Sequence, residues 1–394
     1  MSVYLDHAAS TPLRPQARDA WLAASELVGN ASSVHGAGQD LRRLLEESRE
    51  RVAAILGCDP IEVVLTSGGT ESINLALQGL WWARAHGRSA IVLPEGEHHA
   101  TLDTVEWLVR AHGADVRPVA LDPVGAVVPA RFAEALPDAA LATALVANNE
   151  VGSVSPVAAI AEEAAAADVP LHLDAVGAIG HLPLDFAALR GTHRTPSGLV
   201  ALSMSGHKVG APVGTGALVV SRHARLEPLL HGGGQQRGLR SGTQDVAGAA
   251  ALAVALELTA AERASEASRL RALADRLRSG IRDIVPGARF LGATEERLPG
   301  HIHVLFPDAL GETLLFLLDR AGVHVSTGSA CQAGVAEPSH VVRALGFTDR
   351  DARSVLRITL GRSSTATDVD ALLAALPEAY GRAAASRARG AAHS

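Results

Sequence analysis

Seven short apolar runs, separated by stretches of helical spacing, limit what this chain can fold into. They are Ile61–Leu65, Ala90–Leu93, Val116–Leu121, Leu141–Ala147, Pro170–Leu173, Leu199–Met204 and Gly216–Val220. Most are continuously apolar instead of alternating, the pattern of strands covered on both faces by helices. This predicts an α/β doubly wound domain with a mostly parallel seven-stranded sheet. In such sheets ligands sit beyond the carboxyl ends of the strands, so the polar residues just after each run are the candidates for chemistry.

The flanking segments give a second lobe. With 394 residues, 47% of them hydrophobic, the chain can bury more than one core. Residues 1–13 read as an extended arm, followed by helical spacing over Arg14–Leu27 and an amphipathic helix over Gln39–Leu56 that Gly57 stops. Ala247–Ile284 is long enough for an extended helix joining two lobes. The last third reads as α+β: strand His301–Phe306, helix Gly311–Ala321, strand Val323–Ser326, strand Val355–Leu360 and helix Asp368–Tyr380. The Ala/Arg/Ser tail beyond Tyr380 is expected to fray.

Several function classes are disfavoured. A net charge of −7 without a basic run argues against nucleic-acid binding. No amino-terminal signal pattern and no uninterrupted membrane-length apolar stretch is present. Cys58 and Cys331 stand in unlike contexts and suggest a reducing cytoplasm, with Cys58 a small residue at a helix-to-strand junction. Despite 17 histidines there is no CxxC or HExxH, so no dedicated metal site is expected.

Lys208 is the single lysine; the other 34 of the 35 Lys+Arg residues are arginine. A lysine-poor genome accounts for the missing lysines but not for the one retained. Arginine replaces lysine in most ion pairs but cannot form an imine, because its guanidinium stays protonated. A lone lysine in the polar turn Ser205-Gly206-His207-Lys208, between two apolar runs, is therefore a Schiff-base candidate. A Walker-type phosphate loop does not fit, since Val209 follows the lysine.

The other strand ends supply matching parts. Thr66-Ser67-Gly68-Gly69-Thr70-Glu71 opens a helix whose free N–H groups, with the Thr70 hydroxyl, suit a phosphate. Later runs are followed by His98, Asn149 and Asp174. Each has a plainer reading alone: a core histidine, a turn residue, a helix cap. Together they offer a phosphate site, an aromatic ring, an amide, a carboxylate and an imine-forming amine, which are what pyridoxal phosphate (PLP) requires.

The motifs YLDHAASTP, GNASSVH, TSGGTES, NNEVG, SGHK, HGGGQQRGLRSGT, STGSACQAGVAEPSHVVRALG and LRITLGR cover nearly the whole chain. In these it resembles the group I (NifS/IscS-like) cysteine desulfurases of the class V aminotransferase superfamily. The resemblance implies PLP-dependent transferase fold type I, with a large domain over 14–256 and a small α+β domain from 1–13 and 257–394. It implies Lys208 as the Schiff-base lysine, His98 stacked on the cofactor ring, Asp174 on the pyridine nitrogen and Asn149 near the ring oxygen. Gly69, Thr70, Ser205 and His207 would line the phosphate. Thr243 would reach the neighbouring subunit's phosphate in a homodimer. Arg357, assisted by Asn30, would hold the carboxylate of L-cysteine, and Cys331 would take the sulfur as a persulfide for an acceptor protein.

One departure stands out. Gly177 occupies the position where the family carries a glutamine bonded to the ring oxygen. That leaves selenocysteine lyase, or another β-lyase of the same fold, as a rival reading. A non-catalytic docking scaffold is a weaker one, because it would need neither Lys208 nor Cys331.

Overall fold

The computed structural model describes residues 2–328 and 337–391. After β1 (Val3–Tyr4) come two helices, α1 (Pro15–Ser25) and α2 (Gly36–Leu56). Pro15 suits the first turn of α1, where no N–H is required. Gly57 ends α2 in the left-handed region at φ +64° and donates its N–H to the Ala53 carbonyl.

Strands and helices then alternate. The order is β2 (Val63–Thr66), α3 (Gly69–Trp82), β3 (Ala90–Pro94), α4 (His99–His112), β4 (Asp115–Val119), α5 (Pro129–Ala135) and β5 (Ala139–Leu145). It continues through α6 (Val157–Ala166), β6 (Pro170–Asp174), α7 (Phe186–Arg190), β7 (Gly198–Ser205) and β8 (Gly216–Val220). β2 to β8 form one seven-stranded sheet in the order β2-β8-β7-β6-β5-β3-β4. Only β8 runs against its neighbours in this sheet. It follows β7 through a turn at residues 206–215 that lacks the helix a parallel return requires. All residues of β5 and β7 are buried, as their mainly apolar sequences predict, and that burial takes in Thr143 and Ser203.

α8 (Val246–Ile284) is a 39-residue helix, about 58 Å long at 1.5 Å per residue. Leu252 and Leu256 enter the core around the large sheet, whereas Leu270 and Leu277 enter a second core. The elements that follow are β9 (Arg289–Leu291), β10 (His301–Leu305), α9 (Gly311–Arg320), β11 (Val323–His324), α10 (His340–Ala344), α11 (Asp349–Ala352), β12 (Val355–Thr359) and α12 (Ala366–Ala391). Of these β10, α9, β11, β12 and α12 supply the second core, while Val341 and Val342 of α10 and Ala352 of α11 pack with Val151 and Leu291 in a smaller cluster. β12, β10 and β9 form an antiparallel sheet, and β1 pairs in parallel with β11. The amino-terminal arm is thus stitched to the second lobe.

Two expectations need correction. The tail does not fray after Tyr380: α12 continues to Ala391. Its alanines and arginines favour helix, Ala383 is buried, and Arg387 donates to the Ala309 carbonyl at 3.1 Å and to Ser354 Oγ at 2.6 Å. The strand expected over Val323–Ser326 stops at His324, because Ser326 turns to exchange backbone hydrogen bonds with Arg357.

Candidate active site

A cavity of about 550 Å³ lies where the carboxyl ends of the sheet strands meet the arm and β12. Its wall includes Gly69, Thr70, His98, Asn149, Asp174, Gly177, Ser205, His207, Lys208 and Arg357, so the fold gathers most of the sequence-derived candidates. Asn30 and Thr243 are exposed and do not line it; Asn30 Oδ1 accepts from Ser32 N–H. Cys331 lies outside the described residues. Cys58 is remote from this chemistry, and burial, with Glu62, Asp59 and Asp185 nearby, pushes its thiol up to about 12.

Each wall residue is placed by local geometry. α3 starts at Gly69 after Gly68 at φ +147°, and its first turn, whose N–H groups lack partners within the helix, lines the cavity. A Cβ on Gly69 would lie 2.7 Å from Val176 Cγ2, so close backbone approach is built in. Asn148 Oδ1 accepts from the N–H groups of Glu150 and Val151, a local turn that presents Asn149. His98 caps α4, its Nδ1 accepting from Ala100 N–H at 3.0 Å, which leaves the proton on Nε2. Enclosure by the cavity walls, then the positive charge of Lys208, hold that imidazole down to about 4.

Lys208 follows β7 in a single 3₁₀ turn and donates Nζ to the carbonyls of Ala8 and Ala9 in the arm. Burial, reinforced by Arg357, lowers its ammonium to about 8 against the opposing pull of Asp6 and Asp174. Asp174 ends β6, and its Oδ1 accepts from Val176 N–H at 2.8 Å. Burial raises its carboxyl to about 6.

Arg357 is already engaged. Its Nη2 donates to Asp6 Oδ1 at 3.0 Å and its Nη1 to the Asn149 carbonyl at 3.1 Å. A two-pronged grip on a carboxylate through both Nη atoms would need those bonds to be given up. Asp6 is a site residue that sequence reasoning missed; it sits in the YLDHAA arm, read as extended backbone and as part of a resemblance motif that assigned it no role. Missed too were His7, His181, His301 and His340, which come from four separate segments to line the cavity.

The donor set fits a polar, anionic, aromatic ligand. His7 Nδ1, Asn149 Oδ1, His301 Nε2 and Arg357 Nε are buried without a hydrogen-bond partner among the described residues. Such atoms are costly unless a ligand or water meets them. A helix N-terminus, an amine near neutrality and a buried carboxylate complete a phosphate end, an attachment point and a partner for a ring nitrogen. No group of side chains that could hold a metal ion occurs among the described residues.

The family model "Aminotransferase class-V" matches residues 3–372. The IscS-like cysteine desulfurase of Mycobacterium tuberculosis is 47% identical, with 96% of each chain aligned. Cysteine desulfurase IscS of Methanosarcina thermophila is 38% identical over 96% of this chain and 91% of its own. Among solved structures, a NifS-like protein superposes with a TM-score of 0.89 at 32% identity, covering 97% of this chain and all of that one. The chain belongs to the class V aminotransferase family, whose cofactor is PLP. Within that family it is a cysteine desulfurase of the IscS/NifS type.

Proposed function

We propose that this chain works as a cytoplasmic homodimer that takes sulfur from L-cysteine, releases L-alanine and holds the sulfur as a persulfide on Cys331. The persulfide then passes to an acceptor protein for iron–sulfur cluster or other thio-compound synthesis. The observation that carries this reading is the chain's single lysine amine, held in one cavity with Asp174, His98 and Arg357. A solved relative titled SspA in complex with cysteine, 30% identical with a TM-score of 0.77, supports the substrate. No helix among the described residues is long and apolar enough to cross a membrane. Val213 lines the cavity yet is 83% exposed, which suits closure of that side by a second copy bringing Thr243. We read 14–256 as the large domain, and 1–13 with 257–394 as the small one.

PLP supplies an aldehyde carbon for amine attachment and a ring that accepts electrons from the substrate's α-carbon. Gly69, Thr70, Ser205 and His207 would hold its phosphate, and Asp174 would keep a proton on its ring nitrogen. Arg357 would bind the substrate carboxylate, with Asp6 holding its Nη2. Lys208 Nζ, released from its attachment, takes the α-proton as general base. Cys331 Sγ, as thiolate, attacks the substrate sulfur. An S–S bond forms, the Cβ–S bond breaks with its electron pair left on carbon, His98 is placed to relay a proton to that carbon, and Lys208 Nζ returns a proton to the α-carbon, giving alanine.

Two expectations arise here. Lys208 attacks only as the neutral amine, whose fraction falls tenfold per pH unit below its pKa. Covalent attachment of PLP to cofactor-free protein should therefore accelerate about tenfold per unit up to about pH 8 and then level off. Rapid-mixing absorbance measures this; a rate independent of pH between 6 and 8 would contradict the lowered ammonium.

The second concerns Gly177, where a Cβ would lie 3.6 Å from the Ala147 carbonyl in ordinary contact. Gly177→Gln should fit and add a hydrogen bond of about 0.5–1.5 kcal/mol, slowing cofactor release on dialysis by about 2- to 10-fold. Unchanged or faster release would mean that the side chain does not reach the ring oxygen. The overall function is tested by incubating purified protein with L-cysteine. Alanine, Cys331 persulfide and the cofactor spectrum are scored together, and absence of alanine refutes it.

A further inference from the structure

We propose that Thr143, His172 and Ser203 form a one-directional hydrogen-bond relay that keeps the carboxyl of Asp174 ionised, with His172 as its positioning residue. The proposal rests on the reading of Asp174 as the partner of the cofactor's ring nitrogen.

The relay lies inside the sheet. His172 and Asp174 are two residues apart on β6 and so point to one face. Parallel register sets Thr143 of β5 beside His172, and Ser203 of β7 beside Asp174. The second pairing depends on an irregularity: Leu171 pairs with Leu199 but His172 with Ala201, so Val200 is skipped. Without that extra residue the partner of Asp174 would be Leu202, which has no donor. The slip in β7 thus delivers a hydroxyl to the one carboxylate in this part of the sheet.

All four side chains are buried, and the proton positions follow from the acceptor at the end. Ser203 Oγ donates to Asp174 Oδ1 across a long 3.5 Å. Having given its proton there, Ser203 must accept at 3.1 Å from His172 Nε2, which therefore carries the ring proton. His172 Nδ1 is then an acceptor and takes the Thr143 hydroxyl proton at 2.9 Å. Burial, which holds the His172 imidazole down to about 3, keeps it neutral and compatible with this arrangement. Every dipole in the chain points its positive end toward Asp174. Hydrogen bonds to the charged form of a buried acid oppose the desolvation that would otherwise neutralise it.

Two other titratable side chains act on Asp174. Lys208 faces it from the turn after β7 and favours its charged form. Glu97, from the turn before α4, disfavours it when itself ionised; its Oε1 accepts from Leu145 N–H at the end of β5, and burial first, then Asp174, raises it to about 8. Both are present in each relay variant below, so they do not account for differences among them.

The experiment is cofactor retention by equilibrium dialysis across pH, using the full chain loaded with PLP. In Ser203→Ala and His172→Leu the acid of Asp174 should weaken, so the pH at which half the cofactor is lost should rise by about half to one unit. Thr143→Val, removing the far end, should move it less. A uniform loss of affinity with an unmoved midpoint, or no loss at all, would overturn the relay. Asp174→Asn separates this from the underlying reading. If that variant keeps wild-type retention at neutral pH, Asp174 does not hold the ring nitrogen and both ideas fall. If it loses cofactor while the relay variants keep the wild-type midpoint, the relay alone falls. Selective ¹⁵N-histidine NMR, with the His172 signal assigned by its absence in His172→Gln, is a readout independent of cofactor. A neutral Nε2–H tautomer from pH 6 to 8 is expected, and an Nδ1–H tautomer or a protonated ring would refute the polarity.

Discussion

Lys208→Ala should leave a folded protein that no longer fixes its cofactor covalently and produces alanine at least about 10⁴-fold more slowly. General-base removal alone typically costs 10²–10⁴ in rate, and here the same amine is also the attachment point. Substitution by a neighbour is excluded by composition, since no other lysine exists in the chain. Stability should change little. Nζ bonds two arm carbonyls, and its loss removes a buried ammonium already pushed toward neutrality. Borohydride reduction followed by mass spectrometry checks this directly. Wild-type protein should carry a pyridoxyl group on Lys208, and the variant none; a labelled variant would refute the assignment whatever its activity.

Cys331→Ser and Cys331→Ala should have a comparably large effect by a different route. Both should abolish Cys331 persulfide and alanine release, because a hydroxyl or methyl group cannot take up sulfur as a thiolate does. The cofactor spectrum should persist, since the residues proposed to bind PLP lie on other elements. Addition of L-cysteine should still change that spectrum, showing that substrate enters and is held by Arg357. Normal turnover in either variant would remove Cys331 from the mechanism. The contrast between the two experiments locates the steps: loss of Lys208 removes attachment, whereas loss of Cys331 blocks only the transfer of sulfur.

Much of the site could be read along the chain because it follows one rule of α/β sheets. His98, Asn149, Asp174 and Lys208 each stand within a few residues of the end of a buried apolar strand, and each of those ends opens on the same crevice. Asp6 gave no such signal. It lies in an arm with no periodicity, and its role exists only because β1 pairs with β11, while Asp6 itself bridges to Thr359 beside Arg357. His172 was equally silent, since a polar residue inside an apolar run carries no sign of which neighbours its strand will acquire. The persistence of α12 beyond Tyr380 was misread for a related reason. Its composition is that of a solvated tail, and its order depends on Ala309 and Ser354, far away in sequence.

By itself the sequence determined the α/β class, the seven strands of the large sheet and the identity of the single amine. These follow from local periodicity and from chemistry that one residue type alone can perform. Only the tertiary structure decided that Arg357 meets Asp6, that seven histidines share one cavity wall, and that a skipped residue in β7 sets Ser203 against Asp174. Those contacts depend on strand order and register, which are fixed by how the whole sheet assembles and leave no mark on any one stretch of the chain.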